Sequence, residues 1–235
     1  KAHPGFCRGF EEICTFFSHF MHIMGKTRGE TQKPPEERLK AKRLELNEEA
    51  GGYASMGKLF GTDGARGIAG SELTPELAVQ IGRASAAVLA GKTQHRPRFI
   101  IGKDTRISGD MLEAALCAGL CSMGADVELL GVIPTPAVAY LVRKYGADAG
   151  VVISASHNPV EFNGIKLFGG EGYKLPDEVE EEIESHVLDG CSRLEYAVGN
   201  DVGTVRRLDC AAADYVDYLA KAIDADLSGL HIAVD

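Results

Sequence analysis

A loop that could transfer a chemical group lies in the second half of the chain, where Ser156 and His157 open the run Ser-His-Asn-Pro. A hydroxyl next to an imidazole suits the transfer of a phosphoryl or an acyl group. Lys166 follows ten residues after Ser156, behind an Asn163-Gly164 pair that is typical of a turn. The loop therefore offers a nucleophile, a titratable ring and an ammonium that the turn could fold back toward the hydroxyl.

The elements around this loop are predicted to alternate between strand and helix. Residues 149–153 form an apolar strand that leads directly into the loop. The other predicted strands are 98–102, 127–132, 164–168 and 231–234, and the predicted helices are one from 74 onward, 109–123, 135–146, 176–188 and 209–223. Such alternation is typical of a layered α/β domain with a largely parallel sheet, whose ligands bind at the carboxyl ends of the strands. Ser156 follows such an end.

Single residues mark several of the helix ends. Thr74 is expected to cap the first helix, and Gly124 stands where a helix favours a left-handed residue. The helix that begins at 109 is expected to be capped by Ser108 or Asp110. A structural role is therefore the favoured interpretation of Arg106 and Ser108.

The composition excludes several classes of protein. The chain has 235 residues, of which 45% are hydrophobic and 25% charged, and a formal net charge of -9. An acidic balance argues against a surface that coats nucleic acid, and no apolar run approaches the roughly 20 residues that span a bilayer. The first residues lack the form of a cleavable signal, and the 6 cysteines show no CxxC spacing. We expect a cytoplasmic protein with reduced, buried thiols and without nucleic-acid or membrane partners.

Four motifs together resemble one enzyme family. They are MGKLFGTDGARG at 56–67, GKDTRISG at 102–109, ISASHNP at 153–159 and NGIK at 163–166. In this order the chain resembles the α-D-phosphohexomutase superfamily, and the FGTDG form of the first motif is similar to its phosphoglucosamine mutase branch. The resemblance implies a three-layer α/β/α domain with a mixed, largely parallel sheet.

The resemblance covers nearly everything from Met56 onward and sets the predicted domain boundaries. Residues 56–190 are predicted to form phosphohexomutase domain I, 191–208 a linker, and 209–235 the truncated start of domain II. Residues 1–55 lack the acidic excess of the later sequence. They are predicted to be an extension outside the family, disordered or not native.

An activity and a set of site residues are implied by the resemblance. The activity is the interconversion of glucosamine 6-phosphate and glucosamine 1-phosphate, on the route to UDP-N-acetylglucosamine. Ser156 would carry a phosphoryl group and pass it on through a bisphosphorylated sugar, with Lys166 as general base and with Arg66 and His157 orienting the phosphate. Mg2+ would bind the phosphate on Ser156 and three aspartates of a domain II loop beyond Asp235. This polypeptide alone is therefore expected to be inactive as a mutase, without full turnover of glucosamine 6-phosphate.

Several alternatives stay open at this point. A phosphomannomutase or phosphoglucomutase of the same superfamily would share the motifs, and a non-catalytic fragment that binds a sugar phosphate would share the fold. A serine hydrolase is disfavoured because the chain has no Gly-x-Ser-x-Gly elbow. Phe162 stands where family loops carry an acidic residue, which puts the hydrogen bonding before Asn163 in doubt. A sugar phosphate is the expected partner, and a homodimer is an option for the full-length family.

Overall fold

The computed structural model describes residues 59–61, 64–222, 228, 229, 231 and 233. The predicted extension at 1–55 lies outside the described residues. Residues 232 and 234 of the last predicted strand, at 231–234, lie outside them as well.

Strands and helices alternate along the described residues. In chain order they are β1 (Ala65–Ile68), α1 (Pro75–Ala90), β2 (Arg98–Lys103), α2 (Gly109–Ser122), β3 (Asp126–Val132), α3 (Thr135–Tyr145), β4 (Ala149–Ile153), β5 (Phe162–Gly169), α4 (Asp177–Leu188), β6 (Val205–Arg207) and α5 (Ala211–Ala222). The strands and helices predicted for this part of the chain are confirmed, with some ends displaced by up to two residues. The sequence did not predict β1 or β6, which are only 4 and 3 residues long.

The described strands form one six-stranded sheet in the order β1-β5-β4-β2-β3-β6. Strands β4, β2, β3 and β6 run parallel to one another, whereas β5 runs antiparallel to both β4 and β1. The predicted mixed, largely parallel sheet is confirmed. Ile153 at the end of β4 pairs with Lys103 at the end of β2, so the connections that follow these two strands lie side by side.

Helices cover both faces of the sheet. Helices α1, α2 and α4 pack on the face that carries Ile101 and Val151, while α3 and the start of α5 pack on the face that carries Ile100 and Val152. Successive side chains of a strand point to opposite faces, so continuously apolar strands such as β4 supply both cores. The predicted three-layer α/β/α arrangement is confirmed.

The helix ends agree with the sequence except at α2. The side chain of Thr74 accepts a hydrogen bond from the backbone N–H of Leu77 at 3.2 Å, and Gly124 has a left-handed φ of 86°. The predicted side-chain cap of α2 is wrong, because Ser108 makes no capping hydrogen bond. Asp110 instead forms an ion pair with the ammonium of Lys103 at 2.6 Å.

Charged groups fix β6 and α5 to the rest of the described residues. Glu128 of β3 is buried, and its carboxylate binds the guanidinium groups of Arg98, at 3.0 Å, and Arg206. Asp214 of α5 accepts a hydrogen bond from the Tyr145 hydroxyl at 2.6 Å and pairs with Lys144 at 2.7 Å. β6 thus pairs with β3 and α5 packs on α3, within the stretch predicted as linker and start of domain II.

The cysteines in the described residues are free thiols, at 117, 121, 191 and 210. Burial is the main cause that raises the pKa of Cys117 to about 12, which keeps this thiol protonated and unreactive. Cys121 is half-buried and Cys210 is exposed, so the expectation that the thiols are buried is wrong for these two residues. Within the described part of the chain, no helix combines the length and apolar character needed to cross a membrane.

Candidate active site

Ser156 lies exposed in the loop that joins β4 to β5. Its Oγ is 3.4 Å from Nδ1 of His157, which is exposed beside it. The backbone N–H of Ser156 donates to the hydroxyl of Ser154 at 3.0 Å. The structure therefore brings the predicted nucleophile and imidazole together, and it leaves the nucleophile open to a ligand.

The backbone of Ser156 adopts a left-handed conformation, with φ of 56°. Cys191 is the other non-glycine residue with positive φ in the described part of the chain. A residue with a Cβ atom pays about 1–2 kcal/mol for this conformation. Its presence at the predicted nucleophile means that contacts around the loop hold the backbone there.

Arg106 makes those contacts, from the connection between β2 and α2. Its two terminal nitrogens donate to four backbone carbonyls of the loop, and these belong to Ser156 (2.9 Å), Asn158 (2.8 Å), Pro159 (2.6 Å) and Phe162 (3.0 Å). The structural role favoured for Arg106 from the sequence did not include this contact with the Ser156 loop. Arg106 thus hydrogen-bonds the backbone carbonyl of Phe162, the residue that stands where family loops carry an acidic side chain. Without that acidic side chain, this carbonyl still has a hydrogen-bond partner.

The start of β5 is also tied to the β2–α2 connection. The buried side chain of Asn163 donates from Nδ2 to the hydroxyl of Ser108 at 2.9 Å. The predicted turn at Asn163-Gly164 is wrong, because both residues lie inside β5 and pair with β1. Lys166 is therefore placed by strand pairing, opposite Val152, rather than folded back by a turn.

Arg66 and Lys166 lie on neighbouring strands and on one face of the sheet. Arg66 in β1 pairs with Gly164 in β5, and Lys166 lies two residues further along β5, hence on the same face. A Cβ atom at Gly164 would lie 2.9 Å from Cγ of Arg66 and 2.7 Å from the carbonyl oxygen of Ser154. Glycine at this position thus lets the arginine side chain cross close over β5.

The two lysines near these strand ends, Lys166 and Lys103, have different surroundings. The ammonium of Lys166 lies 5.7 Å from the ring centre of Phe168, within the range of a cation–π contact. Burial lowers the pKa of Lys103, but hydrogen bonds and charge attraction from Asp110 and Glu113 outweigh it, so the pKa is raised overall. Lys103 is therefore held charged against α2.

The residues around Ser156 do not match the ligands that the predicted magnesium ion needs. A hard divalent cation prefers several oxygen ligands, mostly carboxylates. Within the residues that the structure describes, no three His, Cys, Asp or Glu side chains lie close enough together to hold a metal. The described residues therefore do not form a magnesium site by themselves, and Ser156 would contribute to one only through its phosphate.

Comparison with known families agrees with this geometry. Residues 57–193, more than half of the chain, match the family described as "Phosphoglucomutase/phosphomannomutase, alpha/beta/alpha domain I". The chain belongs to this family. The resemblance predicted from the four motifs is confirmed, and so is the assignment to a family of isomerases.

Individual relatives narrow the comparison. Proteins named phosphoglucosamine mutase from Syntrophomonas wolfei and Acetivibrio thermocellus are 60% and 56% identical over 183 and 180 residues. Each match covers 77% of this chain and 41% or 40% of the relative. A phosphoglucomutase/phosphomannomutase family protein from Burkholderia thailandensis has a similar structure, with a TM-score of 0.58 and 27% identity over 70% of this chain and 36% of that one. The chain thus spans well under half the length of these proteins.

Proposed function

We propose that this chain carries the phosphoryl-transfer loop of a phosphoglucosamine mutase, which interconverts glucosamine 6-phosphate and glucosamine 1-phosphate. The observation that carries the proposal is the exposed Ser156 hydroxyl, in a left-handed backbone and 3.4 Å from His157 Nδ1. The names of relatives that are 56% and 60% identical support the choice of sugar.

The proposed chemistry is two in-line phosphoryl transfers at Ser156. In the first, the bond between phosphorus and Oγ breaks and a bond to a sugar hydroxyl oxygen forms. That hydroxyl loses its proton, while Oγ keeps the electron pair of the broken bond and takes up a proton. In the second, Oγ loses this proton and forms a bond to the phosphorus of the other phosphate, whose bond to its sugar oxygen breaks. The sugar oxygen keeps the electron pair of the broken bond and takes up a proton. Lys166 is the proposed group that accepts and returns this proton.

Cationic and polar groups are needed because the transferred group carries its charge on three oxygens. Phosphorylation adds about -1.5 to -2 charges to Ser156, in a chain whose formal net charge is already -9. Arg66 can bind two phosphate oxygens with its planar guanidinium, and His157 can donate to a third.

Uptake of a phosphoryl group tests this proposal. The purified chain is incubated with glucosamine 1,6-bisphosphate and magnesium, and intact mass with peptide mapping reports the added phosphoryl group. We expect one group, on Ser156, and none on Ser156→Ala. Ser154→Ala is the matched control, because Ser154 only accepts the Ser156 N–H, and it should still be modified. A wild-type chain without uptake, or equal uptake by Ser156→Ala, would contradict the proposal.

The uptake assay, together with calorimetry, distinguishes the proposed function from its alternatives. Faster uptake from mannose or glucose 1,6-bisphosphate would indicate a phosphomannomutase or phosphoglucomutase. Binding of the bisphosphate, measured by calorimetry, without any gain in mass would indicate a sugar-phosphate-binding fragment.

A further inference from the structure

We propose that Arg106 is a positioning residue for phosphoryl transfer, because its guanidinium fixes the backbone of the Ser156 loop and with it the direction of the Ser156 hydroxyl. The inference rests on the proposed function, since a direction of Oγ matters only if Oγ attacks phosphorus. Arg106 itself is not placed in contact with the substrate.

The guanidinium of Arg106 uses every donor that it has. An arginine side chain offers five N–H groups in a fixed plane. In this structure Nε donates to Asp104 Oδ2 at 3.0 Å, and the two terminal nitrogens serve the four loop carbonyls at 2.6–3.0 Å. With all five donors engaged, the group can neither rotate nor translate without breaking a hydrogen bond.

Asp104 fixes the plane of that guanidinium. Its second carboxylate oxygen accepts the backbone N–H of Arg106 at 3.0 Å, so the two residues are joined twice. The backbone N–H of Asp104 in turn donates to the carbonyl of Ile153, the last residue of β4, at 3.0 Å. The Arg106 side chain is only 11% exposed. Through Asp104 and Arg106, hydrogen bonds thus connect the ends of the parallel strands β2 and β4 to the Ser156 loop.

The conformation of the loop follows from these carbonyl contacts. One cation draws four carbonyl oxygens toward a single point, which a loop can satisfy only by bending sharply around it. The C=O and N–H of a trans peptide point in opposite directions, so holding the Ser156 carbonyl against Arg106 turns the N–H of His157 away from it. This bend includes the left-handed φ of Ser156, and φ together with the side-chain rotamer sets where Oγ points.

Lysine cannot replace arginine in this role. An ammonium keeps the charge but has three donors and no planar fork. Arg106→Lys therefore loses at least two of the five hydrogen bonds while the net charge of the chain stays the same. The Arg106→Lys variant therefore distinguishes the positioning of the loop by hydrogen bonds from the attraction that the positive charge alone would give.

The chain contains a matched control for this variant. Arg96 also binds two backbone carbonyls, those of Asn200 and Val202, each at 3.1 Å, and it pairs with Asp126 at 3.5 Å. Its segment lies beside β6 and carries none of the proposed site residues. Arg96→Lys makes the same chemical change in an arginine that holds a loop unrelated to the site.

The experiment compares wild type, Arg106→Lys and Arg96→Lys. Hydrogen exchange is followed by mass spectrometry, and initial rates of Ser156 phosphorylation are measured over a range of glucosamine 1,6-bisphosphate concentrations. In Arg106→Lys we expect faster exchange confined to 154–164 and a maximal uptake rate that falls on the order of 10²-fold, with the half-saturating concentration nearly unchanged. In Arg96→Lys we expect faster exchange around 199–204 and wild-type uptake.

Two results would overturn the inference. One is a wild-type uptake rate in Arg106→Lys, and the other is unchanged exchange in its Ser156 loop. Absence of uptake in the wild type would count against the proposed function instead. The exchange measurement would then still decide whether Arg106 fixes the loop.

Discussion

Two regions of the sheet use charged side chains in opposite ways. At the β3–β6 edge, the buried carboxylate of Glu128 forms ion pairs with Arg98 and Arg206. These pairs attach the short strand β6 to β3. Beside β5, Arg106 is met by one carboxylate and four neutral carbonyls, and the result is a bent loop with an exposed hydroxyl.

The charged groups of the β6 region contribute to stability, whereas those near β5 position a group that could do chemistry. Ion pairs between buried and surface groups join elements, but they leave no charge or hydroxyl available for a ligand. Around Ser156 the chain adopts a strained φ and a very close backbone approach, and it presents an exposed hydroxyl. Changes at the β6 edge should therefore alter stability alone, and changes near β5 should alter phosphoryl uptake.

The largest effect is expected from Gly164→Ala. The added methyl group would lie 2.7 Å from the Ser154 carbonyl oxygen and 2.9 Å from Arg66 Cγ, so the backbone must shift, at about 3 kcal/mol. Chemical denaturation should show this loss, and phosphoryl uptake should fall with it. Gly169→Ala on the same strand is the control, since its methyl group meets Leu175 at an ordinary 3.5 Å. Equal losses for both variants would contradict a special role for Gly164.

A smaller loss is expected from Glu128→Gln. Removing the buried negative charge leaves two guanidinium groups without their carboxylate, which should cost about 2 kcal/mol of unfolding free energy because both can turn toward water. Uptake at Ser156 should not change. Glu182→Gln breaks a surface pair with Lys92 and should cost under about 1 kcal/mol. A fall in uptake for Glu128→Gln would contradict the separation between the two regions.

Ser156→Gly should stabilise the chain while it abolishes uptake. Glycine adopts a left-handed φ without the penalty for a Cβ atom, so the unfolding free energy should rise by up to about 1 kcal/mol. Ser154→Gly is the control, because Ser154 does not have a positive φ, and it should destabilise instead. A loss of stability in Ser156→Gly would show that the hydroxyl, rather than Arg106, maintains the loop.

The smallest effect is an acid-dependent weakening of the α5 contact. Hydrogen bonds from Lys144 and Tyr145 lower the pKa of Asp214. Its contribution to stability is thus complete above the ordinary aspartate pKa of about 3.9 and is lost as pH falls through the lower folded value. Asp214→Asn should cost at most about 1 kcal/mol at pH 6 and less at pH 3, measured by denaturation. A cost that grew toward pH 3 would contradict this assignment.

Most of the fold could be predicted because its signals are local. The apolar run of β4, the cap at Thr74 and the left-handed Gly124 each depend on a few adjacent residues. β1 and β6 escaped prediction because they are short and are defined by their partners, not by a pattern of their own.

The site was predicted in part for the same reason. Ser156 and His157 are neighbours in the chain, so their pairing could be inferred from the sequence. The contact between Arg106 and the Ser156 loop could not be inferred, because arginine between a strand and a helix has many uses and its carbonyl partners carry no side-chain signal. The Asn163-Gly164 pair gave a wrong prediction, because this dipeptide is typical of turns but here lies inside β5 and pairs with β1.

The distance along the chain between Arg106 and its partners has a consequence for folding. The β4–β5 hairpin can close from local contacts, whereas Arg106 lies 50 to 56 residues before the carbonyls that it holds. Contacts of that sequence separation form late, after the intervening chain has been ordered. The hairpin can therefore exist before its loop has the final shape, and a partly folded chain lacks the direction of the Ser156 hydroxyl on which the proposed phosphoryl transfer depends.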